Sequence, residues 1–464
     1  MTENLPTERV LSTLNEDGSR HWIRPKLARG RFLRRRRIVG YALIALFVLL
    51  PRIRIGGRPA FLLDLITREL SVFGTVFRPS DGFVLALLGI TIVSAVFLVT
   101  ALFGRVWCGW GCPQTVYLEL VFRPIERWLE GTPGQRQALD ARRGIKPVRV
   151  LKWTIYAILA FALANVFLAY FVGYARLRHW VFESPTDHVG GFTTVMAVSA
   201  LMLFDFAYFR EQACIVACPY GRLQSVLLDA QSLIVGYDAT RGEPRGKAKK
   251  RLPVVTSGDC VDCSACVSVC PIGIDIRNGL QMECIGCAQC IDACDAVMDK
   301  LKRARGLIRY TSKDELAGKV RRLLRTRTIV YPMLLVLAGT LLTWTVARRT
   351  GSEVWIERNQ GPSFVELPDG GISALVEIKI ENESDKLARY HFSLVDTPNA
   401  TLRLAQPVWE VQPHKSITVP VFVDVPRDSF VAGKRTAHVR IDDSAGYQRV
   451  VTATLLGPDG SAAR

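Results

Sequence analysis

The sequence predicts a multi-domain membrane protein: an α-helical transmembrane bundle of about five helices, an α+β ferredoxin-like module and an all-β immunoglobulin-like sandwich. Three observations predict it. Apolar runs of near-span length recur between residues 38 and 347, eight of the twelve cysteines fall between Cys260 and Cys294, and beyond Ser352 apolar residues alternate at period two. A chain of 464 residues has room for two or three folding units, and 49% hydrophobic content leans toward a bilayer. The net charge of +18 is uneven, because residues 352–464 hold twelve Lys or Arg against fifteen Asp or Glu. The basic excess gathers instead at the ends of apolar segments, as membrane orientation requires, and not on a face that would bind nucleic acid.

Residues 1–37 read as a cytoplasmic amino-terminal segment, since Met1 to Arg31 has no continuous apolar core and so no signal peptide. Residues 38–235 read as a membrane domain of two helical hairpins. Its first stretch, Ile38 to Leu50, is short for a span and follows Arg34 to Arg37. Phe83 to Phe103 carries no charge, Leu151 to Tyr174 is almost as apolar, and Gly191 to Phe209 is interrupted by Asp205. A fifth helix covers 329–347. The stretches from Arg105 to Lys152 and from Arg210 to Arg327 are strongly basic and are expected inside, although the five arginines between Arg52 and Gly82, with Arg348 and Arg349, stand on the other side. Five crossings then place residues 352–464 in the periplasm, in a bacterial inner membrane. That segment has no cysteine, as suits an oxidising compartment.

The cysteines of residues 236–328 form two runs, Cys260-x2-Cys263-x2-Cys266-x3-Cys270-Pro271 and Cys284-x2-Cys287-x2-Cys290-x3-Cys294. In this spacing three thiolates hold one cubane and the fourth crosses to the other. The expected ligand sets of two [4Fe-4S] clusters are Cys260, Cys263, Cys266 with Cys294, and Cys284, Cys287, Cys290 with Cys270. Structural zinc is the rival, but zinc wants one closed tetrahedron of four thiolates and not two interleaved runs. Asp295 replaces the proline of the first run and touches no ligand.

The other four cysteines form an internal repeat. Arg105 precedes Cys108-Gly109-Trp110-Gly111-Cys112-Pro113, and Arg210 precedes Cys214-Ile215-Val216-Ala217-Cys218-Pro219. On a helix, thiols four apart share a face with Cβ atoms roughly 5 to 6 Å apart, and the proline supplies a stop. Two such faces together would make a four-sulfur site suited to copper, a further cluster or a dithiol couple. Inert buried thiols are the bland alternative.

Among the histidines, His21, His179, His188, His391, His414 and His438, none lies in a span, which argues against membrane haem. His179 and His188 are surface polar residues or a transient metal contact. Asp205 is a candidate for proton uptake or merely reaches the interface. Trp107, Trp110, Trp153 and Trp344 read as an interfacial belt. No nucleotide motif occurs, so electrons must come from an unidentified donor protein or from quinol. About 110 residues with seven or so strands, alternating at Val376, Ile378, Ile380, at Val419, Val421, Val423 and at Val451, Ala453, Leu455, suit the sandwich. Turn residues at Asp369-Gly370-Gly371, Asp396 to Asn399 and Ala432-Gly433 punctuate it.

The order of hairpin, Trp107 to Thr115, second hairpin, Cys214 to Tyr220 and paired cysteine runs resembles the FixG/CcoG (RdxA-like) accessory proteins. The stretches Tyr237 to Gly246, Gly273 to Leu280 and Gly306 to Thr311 add to the resemblance. It implies a cupric reductase that supplies monovalent copper during assembly of cbb-type cytochrome c oxidase, with the oxidase's subunits or assembly factors as partners. Cys108, Cys112, Cys214 and Cys218 would then carry the copper chemistry. Two alternatives stand beside it: a quinol dehydrogenase related to NapH, and a non-catalytic assembly scaffold.

Overall fold

The computed structural model describes residues 13, 17, 19–78, 81–141, 144, 146–246, 258–320, 324–348, 351–357, 364–368, 370–382, 384, 386–413, 415–443 and 446–458. The sequence readings at residues 1–12, Arg349, Asp369 and His414 lie outside them. The chain divides into two compact units, residues 1–343 and 344–464.

In the first unit, α1 (Arg31–Leu49) begins seven residues ahead of the apolar run. Its first turn is capped from outside, because the Asp292 carboxylate accepts from the Phe32 and Leu33 N–H groups at 3.1 and 2.8 Å. After a short antiparallel sheet (61–64, 69–72, 75–77) come α2 (Gly82–Phe103), α3 (Val106–Trp110), α4 (Pro113–Tyr117), α5 (Arg123–Glu130) and α6 (Pro133–Ala141). Next are α7 (Pro147–Val172), α8 (Tyr174–Trp180), α9 (Val189–Phe204) with a π-helical turn to Phe209, and α10 (Pro219–Leu227). The face of α7 that carries Tyr156, Ala160, Ala164 and Leu168 is buried, and Ala164 and Leu168 pack with Val195 of α9.

Among the described residues four helical segments are long and apolar enough to cross a bilayer: Gly82–Phe103, Pro147–Val172, Val189–Phe209 and Thr326–Ala347. The expected first span is not among them. Arg31 and Arg34 to Arg37 occupy the first two turns of α1, and too few apolar residues remain. The four apolar helices make the chain a membrane protein.

Between residues 234 and 311 the α+β module has two antiparallel strands, Ile234–Tyr237 and Ile308–Thr311. They enclose the cysteine-bearing helices α12 (Ala265–Ser268) and α13 (Gln289–Lys300), which follow the short α11 (Ala239–Gly242). A further turn, α14 (Lys313–Leu316), leads to α15 (Thr326–Ala347).

The second unit is an immunoglobulin-like sandwich. One sheet runs Thr401–Leu404, Ser416–Val425, Ile372–Asn382, Ser352–Glu357, with Phe364–Glu366 also on Ile372–Asn382; the other runs Trp409–Val411, Ala388–Val395, Lys434–Asp443, Gln448–Leu456. The described strands number nine, because two three-residue edge strands carry too little alternation to be read from sequence. Ile378 lies opposite Val419, and both are fully buried with Ile380, Val421 and Val423, while Val376 beside them is also buried. Replacing Ile378 by Ala removes buried methylenes from that layer, and should lower the sandwich's unfolding free energy by roughly 2–5 kcal/mol, measured by hydrogen exchange across its strands.

Candidate functional site

Cys260, Cys263, Cys266 and Cys294 line one cavity, with Cys263 on its exposed side. Cys270, Cys284, Cys287 and Cys290 line a second, with Cys266 at its boundary. The fourth cysteine of each run thus faces the space bordered by the other run. The backbone achieves this in the same way twice. Left-handed residues flank the middle cysteine, Asp262 and Ser264 around Cys263, Gly286 and Ala288 around Cys287, and they turn successive thiols inward. Ser264 and Ala288 then open α12 and α13, which carry Cys266 in one case and Cys290 with Cys294 in the other. Three of the four flanking residues have a Cβ, so this conformation costs energy that only a demanding local geometry justifies.

The donor chemistry fits iron–sulfur clusters. Burial pushes the thiols up, Cys266 and Cys284 to about 11 and Cys270 and Cys294 to about 12. Cys290 is raised further by burial and then by Cys287, Cys284 and Cys270. Such crowded thiols are poor company unless a cationic group takes their protons' place. Two buried guanidiniums point the same way: Arg36 has no hydrogen-bond partner at Nη1 and Nη2, nor Arg105 at Nε and Nη1. The charge of Arg36 falls on Cys287 and Glu119, and that of Arg105 on Cys284 and Cys108. Orphaned buried donors call for an anionic neighbour.

The repeated cysteines take one shape in both copies. Cys108 lies in α3 and Cys214 in a π-helical turn, Ala213–Ala217. The Cys112 N–H donates to the Trp107 carbonyl at 2.9 Å and the Cys218 N–H to the Ala213 carbonyl at 2.8 Å, each five residues back. Cys112 and Cys218 then cap α4 and α10, with Pro113 and Pro219 at the first helical position. The prolines therefore open the next helix and are not just stops, since a missing N–H costs nothing there. The four thiols come within electrostatic reach of one another: Cys214 is pushed to about 12 by burial, then by Cys112, Cys108 and Cys218. Burial lifts Cys108 to about 11 against the pull of Arg105. It also lifts Cys112, against the Thr115 and Gln114 backbone N–H groups. Cys108 Sγ donates to Gln224 Oε1 at 3.0 Å, and Gln224 Nε2 donates to the Tyr220 hydroxyl at 2.8 Å.

This patch touches the second cysteine run directly. A Cβ on Gly109 would stand 2.7 Å from the Ile285 carbonyl oxygen and 2.8 Å from the Cys287 N and Cα. Arg36 Nε donates to the Gly109 carbonyl at 2.6 Å. Trp110 Nε1 donates to the Tyr310 hydroxyl at 3.0 Å, which donates to the Gly286 carbonyl at 2.6 Å. Trp110 is therefore a bridge to the α+β module, not a member of an interfacial belt, whereas Trp107, Trp153 and Trp344 are exposed. Asp205 accepts from Gln114 Nε2 at 3.1 Å, beside Cys112. His188 stacks on Trp180 at the other end of the span that leads to Cys214.

Sequence reasoning missed the carboxylates that hold these pieces together. Arg210 donates twice to Glu126, at 2.6 and 3.0 Å, and Arg136 adds a third contact at 3.2 Å. Arg123 pairs with Glu119, with Glu211 at 3.0 Å and with the Pro271 carbonyl at 3.2 Å. Arg210, one of the two repeated arginines, was a visible signal, but Glu126 lies 84 residues from it in sequence, and Glu211 lies 88 from Arg123.

Two consequences are measurable. Gly109→Ala should force α3 off the Ile285–Cys287 backbone and lower iron and sulfide content of purified protein. At Glu126 burial raises the carboxyl but Arg210 outweighs it, leaving it at about 2 against an ordinary 4.5. The folded value is depressed, so its stabilisation is complete above pH 4.5 and is lost as pH falls toward 2. Glu126→Gln should flatten that acid limb and, by stranding Arg210, cost roughly 3–5 kcal/mol in thermal unfolding at neutral pH.

A model of a 4Fe-4S dicluster domain matches residues 209–313, a 4Fe-4S binding domain model matches 85–132, and a model of the IG-like fold at the C-terminal of FixG matches 342–458. Protein RdxB of Cereibacter sphaeroides is 33% identical over 94% of this chain and 96% of its own length. Nitrogen fixation protein FixG of Rhizobium meliloti is 32% identical over 100% of this chain and 97% of its own. Protein RdxA of Cereibacter sphaeroides is 35% identical over 76% of this chain and 77% of its own. With paired cysteine runs, four apolar helices and the terminal sandwich in one chain, this protein belongs to the FixG/RdxA/RdxB family of membrane-bound iron–sulfur electron-transfer proteins.

Proposed function

We propose that the chain is a cupric reductase, taking Cu(II) to Cu(I) by one electron, for copper delivery to cbb-type cytochrome c oxidase. One observation carries this: Cys108, Cys112, Cys214 and Cys218 meet in a single patch whose Gly109 rests on the backbone of Cys287. Cys260, Cys263, Cys266 and Cys294 would hold one [4Fe-4S] cluster, and Cys270, Cys284, Cys287 and Cys290 the other. When bound, the clusters supply electrons singly, the number this substrate needs.

The chain's own residues do the rest. Cys108 is buried while Cys112, Cys214 and Cys218 are half-buried, so the ion arrives from the side of the latter three. Thiolates prefer monovalent copper, which favours product over substrate. Each thiol that binds gives up its proton. Arg105 favours that loss at Cys108 and the Gln114 and Thr115 N–H groups favour it at Cys112. Arg36 and Arg105 add positive charge beside the second cysteine set. The basic segments, the α+β module and the four thiols would face the cytoplasm and an unidentified electron donor there. The sandwich would face the periplasm of the inner membrane and the oxidase's subunits or assembly factors.

A second reading has a specific observation behind it. The 4Fe-4S binding domain model spans Cys108 and Cys112, which favours a further cluster on the four thiols. Iron in excess of two cubanes in the purified protein would establish it.

The decisive experiment mixes dithionite-reduced protein with Cu(II) without oxygen and follows cluster absorbance and Cu(I) together. Bleached absorbance should return as Cu(I) appears. The Cys108→Ser, Cys112→Ser double variant should retain its two clusters yet reduce copper roughly 10- to 100-fold more slowly; an unchanged rate removes the mechanism. Arg36→Gln withdraws positive charge from Cys287, so the neighbouring couple should become harder to reduce by roughly 60 mV, about tenfold for one electron, in a potentiometric titration followed by electron paramagnetic resonance.

A further inference from the structure

A cavity of about 510 Å³ lies outside the cysteine sites, where the chain from Trp22 to Arg24, the α5–α6 region, the start of α7 and the end of the α9 segment meet. Five cations line it, Arg24, Arg136, Arg149, Lys152 and Arg210, against three carboxylates, Glu126, Glu130 and Asp140. Every carboxylate is already engaged at least twice. Glu126 accepts from Arg136 and Arg210. Glu130 faces Lys152 at 2.7 Å and Arg149 at 3.6 Å. Asp140 pairs with Arg24 and Arg149. The carboxylates therefore order the cationic groups, and a surplus of two positive charges is left in the lining of a concave, partly enclosed space, where a field is focused and not dispersed.

The position of the cavity narrows what could answer that surplus. Arg149, Lys152 and Trp153 occupy the first two turns of one apolar helix, and Ala207 and Tyr208 the end of another, with Arg210 just past it. This is the level where hydrocarbon gives way to head groups. Trp22, Trp153 and Tyr208 form an exposed aromatic lip, steadied by Arg20 stacked over Trp22 and Tyr208. From that lip the exposed side chains of Ile158 on one helix and Phe204 on the other continue along the spans. A charged interior that opens onto an apolar surface has the two-part chemistry of a phospholipid.

We propose that this cavity binds the phosphate-bearing head group of an anionic phospholipid, with acyl chains leaving over Trp153 and Tyr208. A free phosphate would use the cations but not the lip. A zwitterionic lipid would bring its own ammonium among arginines and lose the advantage. Each Lys or Arg near an anionic head group strengthens its binding about fivefold, so removal of two should weaken binding by more than tenfold.

The test uses native mass spectrometry of the full-length, cluster-replete protein in neutral detergent, titrated separately with phosphatidylglycerol, phosphatidylcholine and inorganic phosphate. Phosphatidylglycerol should be retained over phosphatidylcholine. Arg24→Gln with Lys152→Gln should weaken its retention roughly tenfold or more, and Trp153→Ala should weaken the lipid while leaving inorganic phosphate unaffected. Should the double variant fail to fold, Arg24→Gln alone keeps the reading, since Arg24 lies in the non-helical chain ahead of α1. Equal retention of phosphatidylcholine overturns the charge argument. Full competition by inorganic phosphate shows a free-anion site and overturns the lipid. Retention unchanged in the folded variants removes the cavity from the binding site.

Discussion

The contact between Gly109 and the backbone of Ile285 and Cys287 is the constraint on which the rest of this architecture depends. Only a residue without a side chain lets the first repeated cysteine turn lie against the loop that carries the second cysteine run. That approach puts Cys108 in one buried cluster with Cys287, beside Cys284, Cys270 and Cys214. It also leaves the Gly109 carbonyl free to accept from Arg36, which ties α1 to the same point. Electron transfer between neighbouring centres needs such closeness, and here it comes from backbone against backbone, not from long side chains.

Such a junction must be rigid, and its rigidity comes from charge. Arg123, Arg210, Glu119, Glu126 and Glu211 are all buried, where an unpaired charge is costly. Each finds an ionic partner, and the pairs join α5, the segment before Cys214 and the loop after Cys270. A buried ion pair contributes little net stability compared with apolar packing. Its use here is positional, because a misplaced element would strand a charge. Arg36 and Arg105 take no part in these pairs; each keeps two guanidinium nitrogens without a hydrogen-bond partner, and both lie beside thiols.

The internal repeat was legible as a pattern, and its geometry follows from that pattern up to a point. Cys-x3-Cys-Pro closes in both copies through a bond to the carbonyl five residues back, and proline at the first helical position explains why a new helix starts at once. The arginines that precede the two copies, although equivalent in sequence, diverge in space: Arg105 turns to the thiols and Arg210 to Glu126. The shared pattern of an arginine ahead of Cys-x3-Cys-Pro cannot tell these apart, since the carboxylate that holds Arg210 is supplied by a segment 84 residues away.

The cysteine spacing, the apolar runs and the period-two alternation are local properties, and they were enough to establish three kinds of structure and the candidate thiols. Apolar length decides spans because unpaired backbone cannot enter hydrocarbon, and strand alternation decides which face of the sandwich is buried. At α1 the apolar run is short by itself, and the helix is carried seven residues further toward the amino terminus, where Asp292, a residue some 260 positions away, caps its first turn. The convergence of the four repeated cysteines, the part played by Trp110, the carboxylate partners of Arg123 and Arg210 and the basic cavity beneath Trp153 were decided only by tertiary structure. Each of these depends on desolvated charges and close backbone approach between segments far apart in the chain, and no local pattern encodes where such segments meet.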